Sequence, residues 1–67
     1  MNGLKLTRRE MDVLDWLMQG YANKEIAQRL NISCFTVRDH VSSLLFKYGV
    51  KSRVALMVAV SHLRGDT

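Results

Sequence analysis

An all-α domain of four short helices is the fold class the sequence predicts, and three observations predict it. Apolar residues recur at three- and four-residue intervals instead of alternating. The 67 residues contain no proline that would interrupt a helix. Each apolar stretch is preceded by a residue that caps helices (Thr7, Asn23, Ser33 or Ser52), and three of the four are followed by a glycine (Gly20, Gly49, Gly65).

The elements follow in order. Thr7-Arg8-Arg9-Glu10 has the spacing of a capping box, in which the threonine hydroxyl and the glutamate carboxylate each satisfy the other's backbone N–H. Val13, Leu14, Leu17 and Met18 then form a helical stripe with Met11 beside it, while Arg8, Asp12 and Asp15 fall on the other side. Trp16 lies at the edge of the stripe and is expected to be partly buried. A tight connection through Gly20 leads to Asn23, the expected cap of a second helix from Lys24 to Leu30, with Ile26, Ala27 and Leu30 inward. Asn31-Ile32 forms a turn with Ile32 plugging the core. Ser33 caps a third helix from Cys34 to Tyr48, which carries Val37, Val41, Leu44, Leu45 and Tyr48 on one face. Ser52 caps a fourth from Arg53 to about Leu63, ahead of Gly65 and a frayed tail. Two short helices meeting at Asn31-Ile32 give a helix-turn-helix over about 23–48.

A chain this short holds one domain, 1–67, with little apolar surface to spare. No apolar run approaches the length of a membrane span, so no membrane partner is expected. Residues 1–5 lack the apolar core of a signal peptide, and a cytoplasmic protein is expected. The lone Cys34 excludes an internal disulfide and a multi-cysteine metal site; it reads as a small residue in a helix's first turn. Ten Lys and Arg against six Asp and Glu leave a net charge of +4, and the pI of about 9.7 is in the range of nucleic-acid-binding domains. No nucleophile–base pair or phosphate-cradling loop is present, and His40 has no companions at ligand spacing. A non-enzyme without metal or cofactor is therefore expected, with His40 packed or facing a phosphate.

The third helix has an outer arc of Phe35, Thr36, Asp39, Ser42, Ser43 and Phe46, with Arg38 and Lys47 at its margins. Such an arc suits the DNA major groove, where small hydroxyls permit close approach, cations reach phosphate or guanine, and apolar groups meet thymine methyls. A solvated outer face is the plainer reading of the same arc. In the fourth helix, seven consecutive apolar residues from Val54 to Val60 go right round the helix. A three-helix platform covers only one side of it, so a second copy of the chain is the expected cover. Scattered exposed valines and alanines would be the ordinary alternative.

Taken together, LTRREMDVLDWLMQGYANKEIAQRLNISCFTVRDHV with the later Lys47 and Val50-Lys51-Ser52-Arg53 resembles the LuxR/NarL-type, or GerE-like, DNA-binding domain over nearly the whole chain. The resemblance implies a four-helix domain whose third helix enters the major groove and whose fourth, about 53–63, pairs two copies on double-stranded DNA. It places Arg38, Asp39, Ser42 and Ser43 toward bases, with Phe35 beside them on the same arc. It places Asn23, Lys24, Ser33, Thr36 and Lys47 toward the DNA backbone. The homodimer face is Val54 and Val58, flanked by Ala55, Ala59 and His62. RNA polymerase is a further candidate partner. Members of that family commonly join this domain to an upstream receiver or ligand-binding domain, so the chain is either a free-standing regulator or an excised output domain.

Three departures stand out. Family members often carry Lys at the positions of Ser42 and Phe46, so this third helix is less basic and more apolar. Asp39 adds a negative charge that either accepts from a cytosine amino group or holds Arg38 in an ion pair. Leu56 replaces a common alanine. The leading function is a sequence-specific transcriptional regulator. A sigma-factor-like promoter reader and a protein-interaction module that caps another regulator through Phe35, Phe46 and the fourth helix are the alternatives.

Overall fold

The computed structural model describes residues 5–65. Its elements are α1 (Arg8–Met18), α2 (Asn23–Leu30), α3 (Cys34–Tyr48) and α4 (Arg53–Arg64), with no strand among the described residues. The short lead expected before Thr7 and the tail expected after Gly65 fall mostly on 1–4 and 66–67, outside the described residues.

Helix starts follow their caps. The Thr7 hydroxyl accepts from the Glu10 N–H at 3.0 Å while a Glu10 oxygen accepts from the Thr7 N–H at 2.9 Å, so the capping box is complete. Ser33 and Ser52 accept from the N–H groups of Thr36 and Ala55. The start of α2 differs from the sequence expectation. Ala22, with no acceptor of its own, is the cap, and Glu25 reaches back to its N–H at 2.9 Å. Asn23 is already the first helical residue, because its side-chain oxygen is committed to Arg53 at 2.7 Å.

The ends share one geometry. The third residue beyond α1 and the second beyond α2 and α3 each return a long bond into the last turn, as Tyr21 N–H does to Trp16 O, Ile32 to Ala27 and Val50 to Leu45. The residue preceding each is left-handed: Gly20, Asn31 and Gly49. Asn31, at φ 58°, is the non-glycine case, and its short polar side chain tolerates that region as few others do. This reversal lets α3 begin after only three intervening residues.

One core joins all four helices: Val13, Leu14 and Leu17 from α1, Ile26 and Ala27 from α2, Val37, Val41 and Leu44 from α3, and Leu56 and Val60 from α4. Met18, Leu30, Ile32, Leu45 and Tyr48 pack at its margin. Met11, set beside the stripe by its spacing, is exposed. Leu56 is fully buried, so the larger residue at that position is absorbed as core. Helix α3 packs against α1, α2 and α4 and is the centre of the domain.

Candidate nucleic-acid interface

Because α3 gives Val37, Val41 and Leu44 to the core, the side opposite them faces outward. Phe35, Arg38, Asp39, Ser42 and Phe46 are exposed there. Phe46 is 86% exposed and Phe35 68%, the two largest exposures among the described large apolar residues apart from Val54. The Arg38 guanidinium lies 5.9 Å from the Phe35 ring centroid. It does not pair with Asp39: among the described residues the ion pairs are Arg8 and Arg9 with Asp12, Lys47 with Glu10, and Arg64 with Asp15. Arg38 therefore stays available to an external acceptor, and of the two readings of Asp39 the ion pair with Arg38 is not formed.

Two residues of the expected interface turn inward. Ser43 is half-buried, and its hydroxyl donates to Glu10 Oε2 at 2.6 Å. Lys47 donates to Glu10 Oε1 at 2.7 Å and to the Lys5 carbonyl at 2.9 Å. They point this way because Ser43 and Lys47 are one turn apart on the margin of α3 that meets α1, where Glu10 is only 5% exposed. The Lys47 ammonium, followed by the Ser43 hydroxyl, holds the Glu10 carboxyl at about 2, below its ordinary 4.5, against the opposing effect of burial. Glu10 thus remains a carboxylate, and this knot locks the C-terminal half of α3 onto the start of α1. Spacing carried a signal for it: Glu10, Val13, Leu14 and Leu17 fall at 0, +3, +4 and +7, so the acid belongs to the core stripe and requires a partner.

Of the other residues expected at the DNA backbone, Ser33 and Thr36 lie at the start of α3 and Asn23 and Lys24 at the start of α2. Ser33 and Thr36 sit in the first turn of α3 with their hydroxyls 2.9 Å apart. The unpaired N–H groups of that turn carry the positive end of the helix dipole, which favours an anion. Lys24 is exposed in the first turn of α2. Asn23 is half-buried, with its side-chain oxygen already bonded to Arg53. The Arg53 guanidinium also donates to the Tyr21 carbonyl, and burial pulls its pKa below the ordinary value. Arg53 therefore ties α4 to the α1–α2 connection. His40 is half-buried, and no cluster of three metal-ligating side chains occurs among the described residues.

A second supporting contact went unseen in the sequence. The Arg29 guanidinium stands 4.9 Å from the Trp16 ring and 4.5 Å from the Tyr21 ring, and the two rings meet edge to face at 5.1 Å. The stack closes α2 onto the end of α1. No local pattern could announce it, since the three residues come together only through the Gly20 reversal.

On α4, Val54 is 69% exposed and Val58 52%, with Leu63 at 65% beyond them. Ala55 and Ala59 are half-buried, and His62 is exposed. Val58 and His62 also border a shallow, largely apolar hollow with Met18, Met57 and Ser61. No helix among the described residues is long and apolar enough to cross a membrane.

Two short helices joined by a three-residue turn, with the second held from behind by a third and a fourth, define a four-helix helix-turn-helix domain. Residues 4–60 match the family described as bacterial regulatory proteins, luxR family, and the chain belongs to that family. It is 52% identical over 60 residues to the nitrate/nitrite response regulator protein NarP of Escherichia coli, covering 90% of this chain and 28% of that protein. It is 48% identical over 64 residues to the uncharacterized transcriptional regulatory protein YhcZ of Bacillus subtilis, covering 92% of this chain and 30% of that one. With the oxygen regulatory protein NreC of Staphylococcus aureus it shares 40% identity over 52 residues, 78% of this chain and 24% of the relative. The chain thus spans less than a third of the length of these relatives.

Proposed function

We propose that these residues form the DNA-binding unit of a sequence-specific transcriptional regulator, with α3 in the major groove. The observation that carries this reading is the outward edge of α3: Arg38, Asp39 and Ser42 project from a helix whose other sides are fastened to α1, α2 and α4. A rigidly held helix can present its side chains to base edges without ordering cost at the moment of binding. Ser33, Thr36 and Lys24, with the N-terminus of α3, meet the phosphates that set the register. Ser43 and Lys47 act from behind, fixing the tilt of α3 through Glu10. Membership of the luxR family over residues 4–60 favours this reading over a sigma-factor-like promoter reader.

The unit acts as a homodimer through α4. Exposed Val54 and Val58 lie one turn apart, with small Ala55 and Ala59 beside them, so two copies can approach closely and cover apolar surface that one copy leaves in water. As a DNA reader it is not an enzyme and works in the cytoplasm. In a longer regulator it would bring RNA polymerase to a promoter or exclude it.

Fluorescence anisotropy with a labelled mixed-sequence duplex at two salt concentrations tests the reading. Binding should weaken with salt by a slope of roughly 0.9 per phosphate neutralised. Selection from a random duplex pool should then return two similar half-sites. Absence of binding at about 50 mM salt would overturn the proposal.

A further inference from the structure

We infer that Phe46 is a specificity-determining residue which, together with Phe35, makes this domain select C5-methyl groups of thymine at two separated positions in each half-site. The inference rests on the DNA-binding reading above and names what that site reads.

The two rings share one edge of α3. Eleven residues at 100° each make three turns and about 20°, so Phe35 and Phe46 are nearly in line, separated by roughly 16.5 Å along the axis. Asp39 and Ser42 lie between them on the same line, and all four are exposed. Phe46 is therefore the far end of the row that begins with Phe35, in continuity with the proposed base-facing edge. At 86% exposure it supports nothing in the fold.

The charge of that edge points to the same occupant. Lys47, the cation next to Phe46, is turned inward to Glu10 and the Lys5 carbonyl. Arg38 and Asp39 are adjacent and of opposite sign, so the outward edge of α3 carries no net charge. Such an edge offers Arg38, Asp39 and Ser42 for polar contacts, and its two rings, exposed at either end of the row, are left for apolar contact with bases. In the major groove the apolar feature of a base pair is the thymine C5-methyl, which contacts side chains such as Phe. At 3.4 Å of rise per base pair along the duplex, and more along the inclined groove, 16.5 Å spans about three to five base pairs. The predicted half-site has thymines at that separation, on either strand.

The experiment uses this 67-residue chain and duplexes selected from a random pool, with each thymine replaced in turn by deoxyuridine, which removes the methyl and keeps every hydrogen-bonding group. Two replacements, three to five base pairs apart, should each weaken binding about three- to tenfold, the effect of one buried methyl. Phe46→Ala should lose affinity for the parent duplex and become insensitive to one of the two replacements while staying sensitive to the other. Phe35→Ala should show the reverse, and Phe46→Leu should keep the sensitivity. Non-additivity of protein and DNA changes is the signature of direct contact. Equal sensitivity of Phe46→Ala and parent to every replacement overturns the inference while leaving DNA binding intact. A Phe46→Ala chain that binds DNA as the parent does but sediments differently also overturns it, by assigning the ring to a protein contact. If the parent binds no duplex at all, it is the underlying DNA reading that fails.

Discussion

Replacing Lys47 by alanine should cost folding stability and leave the salt dependence of DNA binding almost unchanged, although the family pattern puts Lys47 at a phosphate. The substitution removes the 2.7 Å partner of Glu10, a carboxylate only 5% exposed. Breaking a fully buried pair costs about 3–5 kcal/mol. Here Glu10 keeps the Ser43 hydroxyl and the Thr7 N–H, and the Lys47 side chain is itself 29% exposed, so the cost reduces to about 1–3 kcal/mol. A domain of this size has a total stability of about 3–10 kcal/mol, so the loss is a large fraction of it. It corresponds to a fall in Tm of roughly 4–20 °C by circular dichroism at pH 7.

The pH dependence gives an independent reading of the same contact. Glu10 is held at about 2 in the fold and titrates near 4.5 when unfolded. Because the folded value is the lower one, its stabilisation is fully present above about pH 4.5 and is lost as the pH falls toward 2. Parent and Lys47→Ala should therefore differ most at neutral pH and converge only as the pH approaches about 2. If Lys47→Ala melts within about a degree of the parent at pH 7 and instead lowers the salt slope by about one, the ammonium serves DNA and the knot with Glu10 is dispensable.

Other outcomes follow from the same geometry. Lys24→Ala should weaken binding to all duplexes about equally and reduce the salt slope by roughly one, read by anisotropy at several salt concentrations. Arg38→Ala should relax preference at one base position of each half-site at a cost of about 1–3 kcal/mol, detected by repeating the selection with the variant. Val58→Asp should leave the helical circular dichroism intact and yield a monomer by sedimentation, because the carboxylate meets water in one copy and a desolvated symmetry mate in two. Its binding to a two-half-site duplex should fall sharply while single half-site binding survives. Unfolding of Val58→Asp would assign that face of α4 to the core.

Sequence by itself determined where the helices lie and which faces they bury. Those properties are local: the Thr7–Glu10 box, the Ser33 and Ser52 caps and the left-handed stops at Gly20 and Gly49 act within a few residues, and apolar periodicity reports a face whatever covers it. The luxR-type resemblance added the order in which those faces are used. Tertiary structure alone decided which polar side chains remain available, because that depends on partners distant in the chain. Glu10 takes Ser43 and Lys47 from 33 and 37 residues away, Arg53 takes Asn23 from 30 residues away, and Arg29 closes over two rings brought together by the Gly20 reversal. A helical wheel ranks residues by angle and cannot see a facing helix, so it placed Ser43 with Ser42 although only Ser42 faces outward. The same physics explains why Phe35, Arg38 and Phe46 were legible: nothing in the fold competes for them, and an unopposed side chain points where its own helix directs it.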